Sequence, residues 1–332
     1  MTGAELTELA TELGIDAIGA APVAAYDDTE QHIRERRARG LFADMRFTMA
    51  RPEVSCHPEL LYEGARTVIA AALCYWRDAP EPSADEGRLP RYTQRDEYAE
   101  LRVRLERLGQ RLGGKYRVLV DESEHVDRAG AVRAGIAFYG KNTMAITRRH
   151  GSWVVLGVLV TEVEIEASPP LELDCGECRL CIDACPTGAL DEPGTLDSAK
   201  CLSYWTQAPA PIPDEYRAEL GAMVYGCDIC QEVCPWNRGV EKRRRGSAAV
   251  AHASVSLADW LERDGADLVA EFDRLYVPRN DARWLRRNAL VAAGNVGSKE
   301  LAPTVARYVD DPDPILSDAA RWAFERMTTR YG

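Results

Sequence analysis

The chain contains the sequence Cys175-Gly-Glu-Cys178-Arg-Leu-Cys181-Ile-Asp-Ala-Cys185-Pro186 and, further on, Cys227-Asp-Ile-Cys230-Gln-Glu-Val-Cys234-Pro235. With Cys201 between the two blocks, eight of the ten cysteines fall within sixty residues. A pair of zinc knuckles would need only two closely spaced cysteines in each half. In both blocks the cysteines run on to a last cysteine followed by proline, which favours iron–sulfur ligation over zinc.

The first block has a spacing that resembles bacterial two-cluster ferredoxins, in which the fourth thiolate of a motif crosses to the other cluster. This resemblance implies two [4Fe-4S] clusters with exchanged ligands. The ligand set of one cluster would be Cys175, Cys178, Cys181 and Cys234. The ligand set of the other would be Cys201, Cys227, Cys230 and Cys185.

Composition predicts a globular protein of two or three domains, because the 332 residues are 46% hydrophobic and 28% charged. Residues 1–13 lack the basic start and apolar stretch of a signal peptide. The longest apolar runs are too short to span a bilayer. Metal ligation by cysteine also suits a reducing compartment. We therefore expect a cytoplasmic protein, without membrane contact.

Net charge bears on nucleic-acid binding. The formal charge of −12 argues against a surface that coats nucleic acid generally, since phosphate binding depends on Lys and Arg. Three local basic runs, at residues 34–39, 242–245 and 283–287, are candidate contacts, and a solvated helix face is the alternative for each. RNA held by the second run would lie near the redox centre, because that run directly follows the second cysteine block.

Residues 1–166 are predicted to form one domain in which strands alternate with helices, an α/β arrangement. Helices are expected at 5–13, 32–38, 96–112 and 126–137, and strands at 67–75 and 116–121. The uninterrupted apolar run 67–75 predicts a strand that is buried on both faces. Residues 144–166 predict a hairpin around 148–152. Neither a G-x-G-x-x-G sequence after a strand nor a P-loop is present.

Two further domains are expected after residue 166. Residues 167–246 form the predicted cluster domain, in which the clusters take the place of a hydrophobic core. Residues 247–332 are predicted to be helical, with helices at 283–294, 299–309 and 315–327. This tail resembles one and a half HEAT-like repeats, too few for a free solenoid, so it is expected to pack on the other domains.

Further motifs together resemble one enzyme family. Arg91-Tyr92 precedes Asp96-Glu-Tyr98, and Val120-Asp121 precedes Arg128, Ala134-Gly135 and Gly140-Lys141-Asn142-Thr143. Gly151-Ser152-Trp153 precedes Leu156-Gly157, and the second cysteine block ends in Cys234-Pro-Trp236-Asn237. With the cysteine blocks and the helical tail, these motifs over residues 40–330 resemble the epoxyqueuosine reductases.

The resemblance implies an α+β, multidomain fold: an N-terminal α/β corrinoid-binding domain, a bacterial dicluster ferredoxin-like domain and a C-terminal α-helical HEAT-like domain. It implies a cobalamin to which two [4Fe-4S] clusters deliver electrons from a low-potential electron donor. The implied substrate is a tRNA with epoxyqueuosine at the wobble position of its anticodon stem-loop, reduced to queuosine by two electrons and two protons. Because the D-x-H-x-x-G corrinoid loop is absent, base-off binding without a protein histidine on cobalt is expected. We expect a monomer.

Asp121 is the proton donor that the resemblance implies. A carboxyl donates near neutral pH only if its pKa is raised, as burial against corrin and substrate would do. Capping of the turn after a strand is the alternative role for this residue. The implied corrin contacts, partly through backbone groups, are Arg91, Tyr92, Lys141, Asn142, Thr143, Ala145, Leu156 and Ser203. Helix capping, core packing and surface salt bridges are the alternatives for these.

Two departures from the family's pattern bear on the substrate: Glu122-Ser123-Glu124 follows Asp121, and Ala99 follows Tyr98. Added acid beside the pocket would repel an anionic tRNA. A related corrinoid reductase acting on another epoxide or on a halide is therefore an alternative. A dicluster electron carrier is a second alternative, although a carrier would have no use for the first 165 residues. An RNA-binding helical module with structural clusters is a third.

Overall fold

The computed structural model describes residues 1–247 and 252–331. The helices of the first half are α1 (Gly3–Glu12), α2 (Asp27–Ala38), α3 (Phe47–Ala50), α4 (Pro52–Ser55), α5 (Glu97–Leu112) and α6 (Asp127–Arg133). Those of the cysteine-rich segment are α7 (Leu180–Asp183), α8 (Leu202–Gln207), α9 (Asp214–Arg217), α10 (Ile229–Glu232) and α11 (Pro235–Arg244). The C-terminal helices are α12 (Leu257–Glu262), α13 (Gly265–Glu271), α14 (Arg283–Val296), α15 (Ala302–Ala306) and α16 (Pro314–Tyr331).

The strands are β1 (Ala17–Pro22), β2 (Thr67–Cys74), β3 (Glu86–Arg88), β4 (Tyr116–Leu119), β5 (Ala137–Tyr139), β6 (Ala145–Thr147), β7 (Val154–Thr161) and β8 (Ser254–Ser256). Short 3₁₀ turns lie at Pro58–Leu60, Arg91–Thr93, Ser198–Lys200, Pro278–Asn280 and Lys299–Leu301. Within the described ranges, no helix is both long enough and apolar enough to cross a membrane.

The main sheet has the strand order β1-β2-β7-β4, and every neighbouring pair is antiparallel. The mixture of strands and helices is therefore as predicted, while the sheet lacks the parallel pairs typical of α/β folds. All residues of β2 and β7 are buried. This confirms the prediction of a strand covered on both faces, because helices pack on either side of the sheet.

Neighbouring residues of β7 identify those helices. A Cβ at Gly157 would contact Leu101 and Leu105 of α5, whereas Val158 lies beside Gly130 of α6. Successive strand residues point to opposite faces, so α5 and α6 cover opposite sides of the sheet. The absence of a side chain at Gly157 lets α5 approach the sheet closely.

Local signals explain where two helices of this domain, α1 and α5, begin. In α1, Thr2 and Glu5 form a capping box, in which each side chain accepts a hydrogen bond from the other residue's N–H. In α5, the Asp96 side chain accepts a hydrogen bond from the N–H of Ala99. Three leucines at helical spacing are buried against the sheet: Leu101, Leu105 and Leu108.

The prediction of a hairpin over residues 144–166 is wrong in its pairing. β6 pairs with β5, from Ala137 opposite Thr147 to Tyr139 opposite Ala145, and β7 joins the main sheet instead. Thr147 and Gly151 close a tight turn through reciprocal main-chain hydrogen bonds, and the chain then enters β7. Both segments have strand patterns, but periodicity alone does not identify a strand's partner.

A second hydrophobic core combines residues on both sides of residue 246, including Leu202, Leu220, Trp260, Leu285 and Leu290. The helical tail therefore packs on the cysteine-rich segment, as predicted. The predicted cluster domain also contributes apolar side chains to this core, so it does not depend on clusters alone for its packing. The boundary at residue 246 itself stays a prediction.

The basic run at 283–287 does not form a basic surface. Arg287 is buried in α14, and its guanidinium donates to the carbonyls of Trp205 and Ala208 at 2.8 and 2.7 Å. Arg283 pairs with Asp281 at 2.6 Å and with Asp313. The run thus joins α14 to the segment around α8, because buried carbonyl oxygens need donors.

Candidate redox centre and adjoining recess

Four cysteines of the first predicted ligand set lie together. Burial raises the pKa of Cys234, and the proximity of Cys175, Cys181 and Cys178 raises it further. Burial and the nearby Cys175 and Cys178 likewise raise the pKa of Cys181. Mutual pKa elevation of this kind requires short distances between thiols, so the folded chain places Cys234 beside the first block.

The second set lies together in the same manner. Burial raises the pKa of Cys227 to about 12, with contributions from Cys201 and Cys185. Burial also raises the pKa values of Cys201, which lies near Cys185, and of Cys230, which lies near Cys227 and Cys201. Cys185 therefore lies with the second set although it belongs to the first block. This is the grouping that the sequence predicts, while ligation itself stays a prediction.

Apolar side chains surround both sets. Phe138, Ile146 and Trp236 pack beside Cys175 and Cys234. Beside the second set and Cys181 lie Ile182, Leu190, Leu196 and Val233. In the described part of the chain, no three His, Cys, Asp or Glu side chains come close enough to hold one metal ion. A cubane makes a different demand, because each thiolate binds a separate iron.

Lys141 and Asn142 connect the first domain to both cysteine blocks. The Lys141 ammonium donates to the carbonyl of Gly176 at 2.6 Å, next to Cys175. The Asn142 amide donates to the carbonyl of Cys230 at 3.3 Å, and its oxygen accepts from the N–H of Met144. Two of the predicted corrin-contacting residues thus touch the cluster segment directly.

Asp121 follows β4 in a left-handed backbone conformation, with φ of 54°. Its side chain reaches solvent. Surrounding protein nevertheless desolvates the carboxyl, and this is the main reason why its pKa is raised. The neighbouring Asp127 raises the pKa further, whereas Arg128 lowers it. Because this carboxyl is both solvent-accessible and desolvated, we infer an open recess around it.

Three tyrosines help to define this recess. Burial raises the pKa of Tyr98 strongly, and Asp121 adds to the effect. Tyr225 also has a raised pKa through burial, with Asp121 among its charged neighbours. Tyr139 is 46% exposed, yet burial raises its pKa to about 12, opposed by the nearby Arg128. Because Tyr225 lies two residues before Cys227, the recess adjoins the second cysteine set.

Residues 140–145 border the same recess. Thr143 has a left-handed backbone, with φ of 65°, and its carbonyl accepts from the Arg128 guanidinium at 3.2 Å. Strained non-glycine positions such as these persist only where the surroundings hold them, and they cluster at functional sites. Arg128 thus connects Thr143 with Asp121, whereas Lys141 and Asn142 contact the cysteine-rich segment.

The other predicted corrin contacts are more scattered. The Arg91 guanidinium lies over the rings of Trp76 and Trp153, at 5.1 and 5.9 Å, and its buried Nε has no hydrogen-bond partner among the residues that the structure describes. Tyr92 lies between the hydrophobic core around the main sheet, here called the first core, and the second core. The Ser203 hydroxyl, in the first turn of α8, accepts from the side chain of Gln207. Ala145 and Leu156 are buried in the first core, so their side chains serve packing.

The two acids after Asp121 are paired with arginines. Glu122 accepts a hydrogen bond from Arg102 at 2.7 Å, and Glu124 forms an ion pair with Arg117. These ion pairs offset the negative charges of Glu122 and Glu124, which the sequence analysis expected to repel an anionic tRNA. Sequence alone did not reveal them, because both arginines precede the aspartate on different elements, α5 and β4.

Sequence reasoning also missed a hydrogen-bonded chain behind Asp121. The Tyr26 hydroxyl lies 3.0 Å from His125 Nε2, and His125 Nδ1 lies 2.9 Å from Asp127 Oδ1. The N–H of Asp121 donates to Asp127 Oδ2 at 3.3 Å. The only available sequence signal was the clustering of Asp121, His125 and Asp127, and nothing connected Tyr26 to them.

A cleft of about 930 Å³ lies elsewhere, among the C-terminal helices. It is lined by four arginines and four carboxylates, including Arg283, Arg307, Glu262 and Asp313. Several of these groups pair with one another, as Arg307 does with Glu262 at 3.2 Å. None of the predicted site residues lines this cleft, so its size does not make it the reaction site.

Comparison with known proteins identifies the cysteine-rich segment and the family of the chain. A family model for a 4Fe-4S double cluster binding domain matches residues 174–237, so this segment is a dicluster domain and not a pair of zinc knuckles. The epoxyqueuosine reductase of Lactococcus garvieae (strain Lg2) is 30% identical, over 98% of this chain and 96% of its own length.

Two solved structures are similar throughout. A crystal structure of epoxyqueuosine reductase with an epoxyqueuosine-modified tRNA-Tyr stem loop has 30% identity and a TM-score of 0.81, covering 98% of this chain and 89% of the other. A Bacillus subtilis epoxyqueuosine reductase, with its catalytic aspartate loop swung out of the active site, has 29% identity and a TM-score of 0.81, covering 98% and 90%. The chain belongs to the epoxyqueuosine reductase family.

Proposed function

We propose that this protein reduces epoxyqueuosine to queuosine at the wobble position of tRNA. The observation that carries the proposal is the position of Asp121, a carboxyl with a raised pKa in a recess that adjoins the second cysteine set through Tyr225. Such a recess can combine electron delivery with proton donation. An electron carrier would need only the cysteine segment and would have no use for this acid.

We propose that the recess holds a cobalamin, bound base-off. Asp121 and Tyr139 support a concave space there, because both are solvent-accessible and yet desolvated by surrounding protein. The buried Nε of Arg91 has no hydrogen-bond partner among the described residues, and a polar edge of the cofactor could provide one. When bound, cobalamin supplies the low-potential cobalt chemistry that no side chain offers. Two residues, Ala145 and Leu156, would contact the cobalamin by backbone. The residues that would contact it by side chain or backbone are Arg91, Tyr92, Lys141, Asn142, Thr143 and Ser203.

Asp121 is the proposed acid for the departing epoxide oxygen. Removing that oxygen as water takes two electrons and two protons, and leaves a carbon–carbon double bond in the product. A raised pKa keeps part of the carboxyl protonated at a pH where an ordinary Asp would be ionised. The catalytic aspartate loop of the Bacillus subtilis relative supports a catalytic role for an aspartate in this fold.

The electrons are proposed to enter from a low-potential donor and to pass through the two clusters. Cys175, Cys178, Cys181 and Cys234 would hold one cluster, and Cys201, Cys227, Cys230 and Cys185 the other. The second set is the one that meets the recess, through Tyr225 and through the Asn142 bond to the Cys230 carbonyl. The apolar side chains around both sets limit solvent access, which influences the reduction potentials.

The tRNA is proposed to approach the end of the sheet at which β2 and β4 terminate. Both strands are antiparallel to β7, so their carboxyl ends lie at the same end of the sheet, and Asp121 follows β4 there. The C-terminus of α11 also lies at this end, since Arg244 donates to the Cys74 carbonyl at 3.2 Å. The exposed Lys242, Arg243 and Arg245 can therefore contact phosphates of a stem-loop whose wobble base enters the recess.

The test is anaerobic reconstitution of the protein with iron, sulfide, cobalamin and a reductant, followed by assay on tRNA that contains epoxyqueuosine. We expect queuosine in the digested tRNA by mass spectrometry, and none when cobalamin is omitted. A brown protein that never acquires corrin absorbance would instead indicate an electron carrier. Protein that binds both cofactors but leaves epoxyqueuosine intact would indicate a corrinoid reductase with another epoxide or a halide as substrate.

We propose three domains, at residues 1–166, 167–246 and 247–332, with the last resembling HEAT-like repeats, in a monomeric protein. Analytical ultracentrifugation of the loaded protein would test the monomer. Limited proteolysis near residue 246 would test the last boundary, and the shared second core leads us to expect that the two fragments stay associated.

A further inference from the structure

We propose that Tyr26, His125 and Asp127 form a hydrogen-bonded chain that positions Asp121 for proton donation. The inference rests on the proposed function, and it assigns a role to three side chains outside the cysteine sets and outside the predicted corrin contacts. In this chain Asp127 touches Asp121, His125 orients Asp127, and Tyr26 orients His125.

With His125 neutral and its proton on Nδ1, the three contacts form a consistent set of donors and acceptors. The Tyr26 hydroxyl donates to Nε2 of neutral His125 at 3.0 Å, and the Nδ1–H of His125 donates to Asp127 Oδ1 at 2.9 Å. The other carboxylate oxygen of Asp127 accepts from the Asp121 N–H at 3.3 Å. Each donor in the chain is thus satisfied when Asp127 is ionised and the histidine is neutral.

Asp121 needs such a restraint because of its backbone. At φ of 54° it occupies the left-handed region, which costs a non-glycine residue free energy and persists only if neighbouring groups hold it. The bond from Asp127 fixes the peptide N–H of Asp121 itself. It therefore holds the turn that directs the carboxyl into the recess, while leaving that carboxyl free of the chain.

The chain is anchored firmly at its far end. Tyr26 and His125 are 2% and 1% exposed, and their rings meet edge to face at 5.5 Å. The N–H of Tyr26 donates to the Cys56 carbonyl at 2.8 Å, and the N–H of Val126 donates to the Ser55 carbonyl at 3.1 Å. Residues 26 and 55–56 thus hold the His125 segment in place.

Packing fixes His125 from the other side. A Cβ at Gly130, in α6, would lie 2.7 Å from Cε1 of His125. The glycine therefore permits the close approach of α6 to the imidazole ring. A ring enclosed in this way cannot rotate freely, so its hydrogen bonds to Tyr26 and Asp127 keep their direction.

Several charged or titratable groups face Asp121. Asp127 and Arg128 belong to α6, and Tyr98 belongs to α5. Tyr225 lies two residues before the second cysteine block. The Asp127 charge raises the pKa of Asp121. Replacing Asp127 by a neutral residue should therefore lower that pKa, so the acid form should be lost at a lower pH.

The test compares Asp127→Ala, Asp127→Asn and Tyr26→Phe with a matched control, Tyr62→Phe. Tyr62 also uses its hydroxyl for hydrogen bonds, to the carbonyls of Lys115 and Val160, but at the other end of the sheet. Hydrogen–deuterium exchange of the peptide that contains residues 118–124 reports on the Asp121 turn. The pH dependence of kcat in the reconstituted enzyme reports on the acid.

In Asp127→Ala we expect exchange at the Asp121 amide to be about fivefold to tenfold faster, as for one lost hydrogen bond. We expect kcat to fall by about 10²-fold with little change in KM, since a misplaced catalytic group has a cost of that order. Tyr26→Phe should give smaller changes in the same direction. Tyr62→Phe should leave both readouts at the wild-type value.

Asp127→Asn separates position from charge. Its oxygen can accept from the Asp121 N–H, and its amide can donate to His125 Nδ1 once the ring adopts the other tautomer. Exchange should therefore stay slow, while the alkaline limb of the kcat profile moves to lower pH. Wild-type exchange and wild-type kcat in Asp127→Ala would show that the chain does not position Asp121.

Failure of this inference can be told apart from failure of the proposed function. If wild-type protein does not reduce epoxyqueuosine-tRNA, the proposed function is wrong, and the exchange measurement still decides whether the chain holds the turn. If Asp127→Ala does not fold, Tyr26→Phe and Asp127→Asn decide the matter. In that case wild-type exchange in Tyr26→Phe, together with an unmoved pH profile in Asp127→Asn, would overturn the inference.

Discussion

The main-chain N–H of Ser152 donates a hydrogen bond to Asn237 Oδ1 at 2.8 Å, and so joins the start of β7 to the start of α11. The Asn237 amide in turn donates to the Ser152 hydroxyl at 3.0 Å and to the Gln231 carbonyl at 2.7 Å. A Cβ at the adjacent Gly151 would lie 1.9 Å from Asn237 Oδ1, so only glycine fits there. One buried asparagine thereby joins the sheet to the segment that carries Cys234.

Asn237→Ala should destabilise the protein by about 1–3 kcal/mol, because it leaves buried donors and acceptors without partners. We expect a lower thermal midpoint for the anaerobically prepared protein, and a lower iron content, since Asn237 is three residues from Cys234. Asn237→Asp is the matched variant, because it keeps the acceptor for Ser152 and loses the donor. An unchanged midpoint in Asn237→Ala would mean that this contact contributes nothing to joining the two segments.

Cys185→Ala should damage the cluster that is built mainly by the second block. Cys185 belongs to the first block in sequence but lies with Cys201 and Cys227 in the fold. Iron analysis and electron paramagnetic resonance of the reduced protein should show loss of one cluster signal. The same signal should be lost in Cys230→Ala, whereas Cys178→Ala should remove the other. If Cys185→Ala instead loses the cluster signal that Cys178→Ala removes, the predicted ligand sets are wrong.

Asp121→Ala should retain both clusters and cobalamin but lose turnover by ~10²–10⁴-fold, the usual contribution of a positioned acid. Activity of the wild-type enzyme should fall as pH rises through the pKa of Asp121, because only the protonated carboxyl donates. That pKa is raised by burial above the ordinary 3.8, so the decline should begin at a higher pH than for an exposed Asp. A wild-type rate in the variant would place the acid elsewhere.

His57 should make stability depend on pH. Its ring nitrogens bond Glu30 at 2.8 Å and Glu59 at 2.7 Å, and these bonds raise the pKa of His57 above the ordinary 6.5. A raised histidine pKa stabilises the fold below the unfolded value, and this contribution is lost as pH rises through the folded value. His57→Gln should therefore lower the thermal midpoint at about pH 6 more than at about pH 9. An equal decrease at both pH values would exclude this linkage.

Lys242→Ala combined with Arg245→Ala should weaken tRNA binding and flatten its salt dependence. Each lost phosphate contact should reduce the slope of log K against log salt by about 0.7–0.9. Filter binding at several salt concentrations measures this slope. The matched control is Arg66→Ala with Arg111→Ala, which removes two exposed arginines where β7 ends and β4 begins. If both double variants behave alike, only net charge matters and α11 is not a contact.

Much of the fold could be predicted from local patterns. The apolar run 67–75 became the buried β2, and the leucines of α5 became the face packed on the sheet, because strand and helix periods appear directly in sequence. The hairpin at 144–166 failed because β6 and β7 have similar strand patterns but different partners. Pairing is decided by contacts between distant segments, which a local pattern does not contain.

The candidate site divides in the same way. Cysteine spacing could be read from the chain, because ligand geometry constrains residue type and separation. The role of Asp121 followed only from the family resemblance. The pairing of Glu122 and Glu124 with Arg102 and Arg117 could not be predicted, and neither could the link from Tyr26 to His125. Each joins side chains from different elements.

By itself, the sequence determined the dicluster segment and the longest helices and strands, since each depends on residues close together in the chain. The resemblance to a known family added Asp121 as the candidate acid. Only the tertiary structure decided that Asn237 joins the cysteine-rich segment to the sheet, and that Asp121 lies beside Tyr225. The physical reason is that desolvation, hydrogen-bond partners and distances between charges belong to the folded arrangement. They arise only when segments distant in sequence pack together.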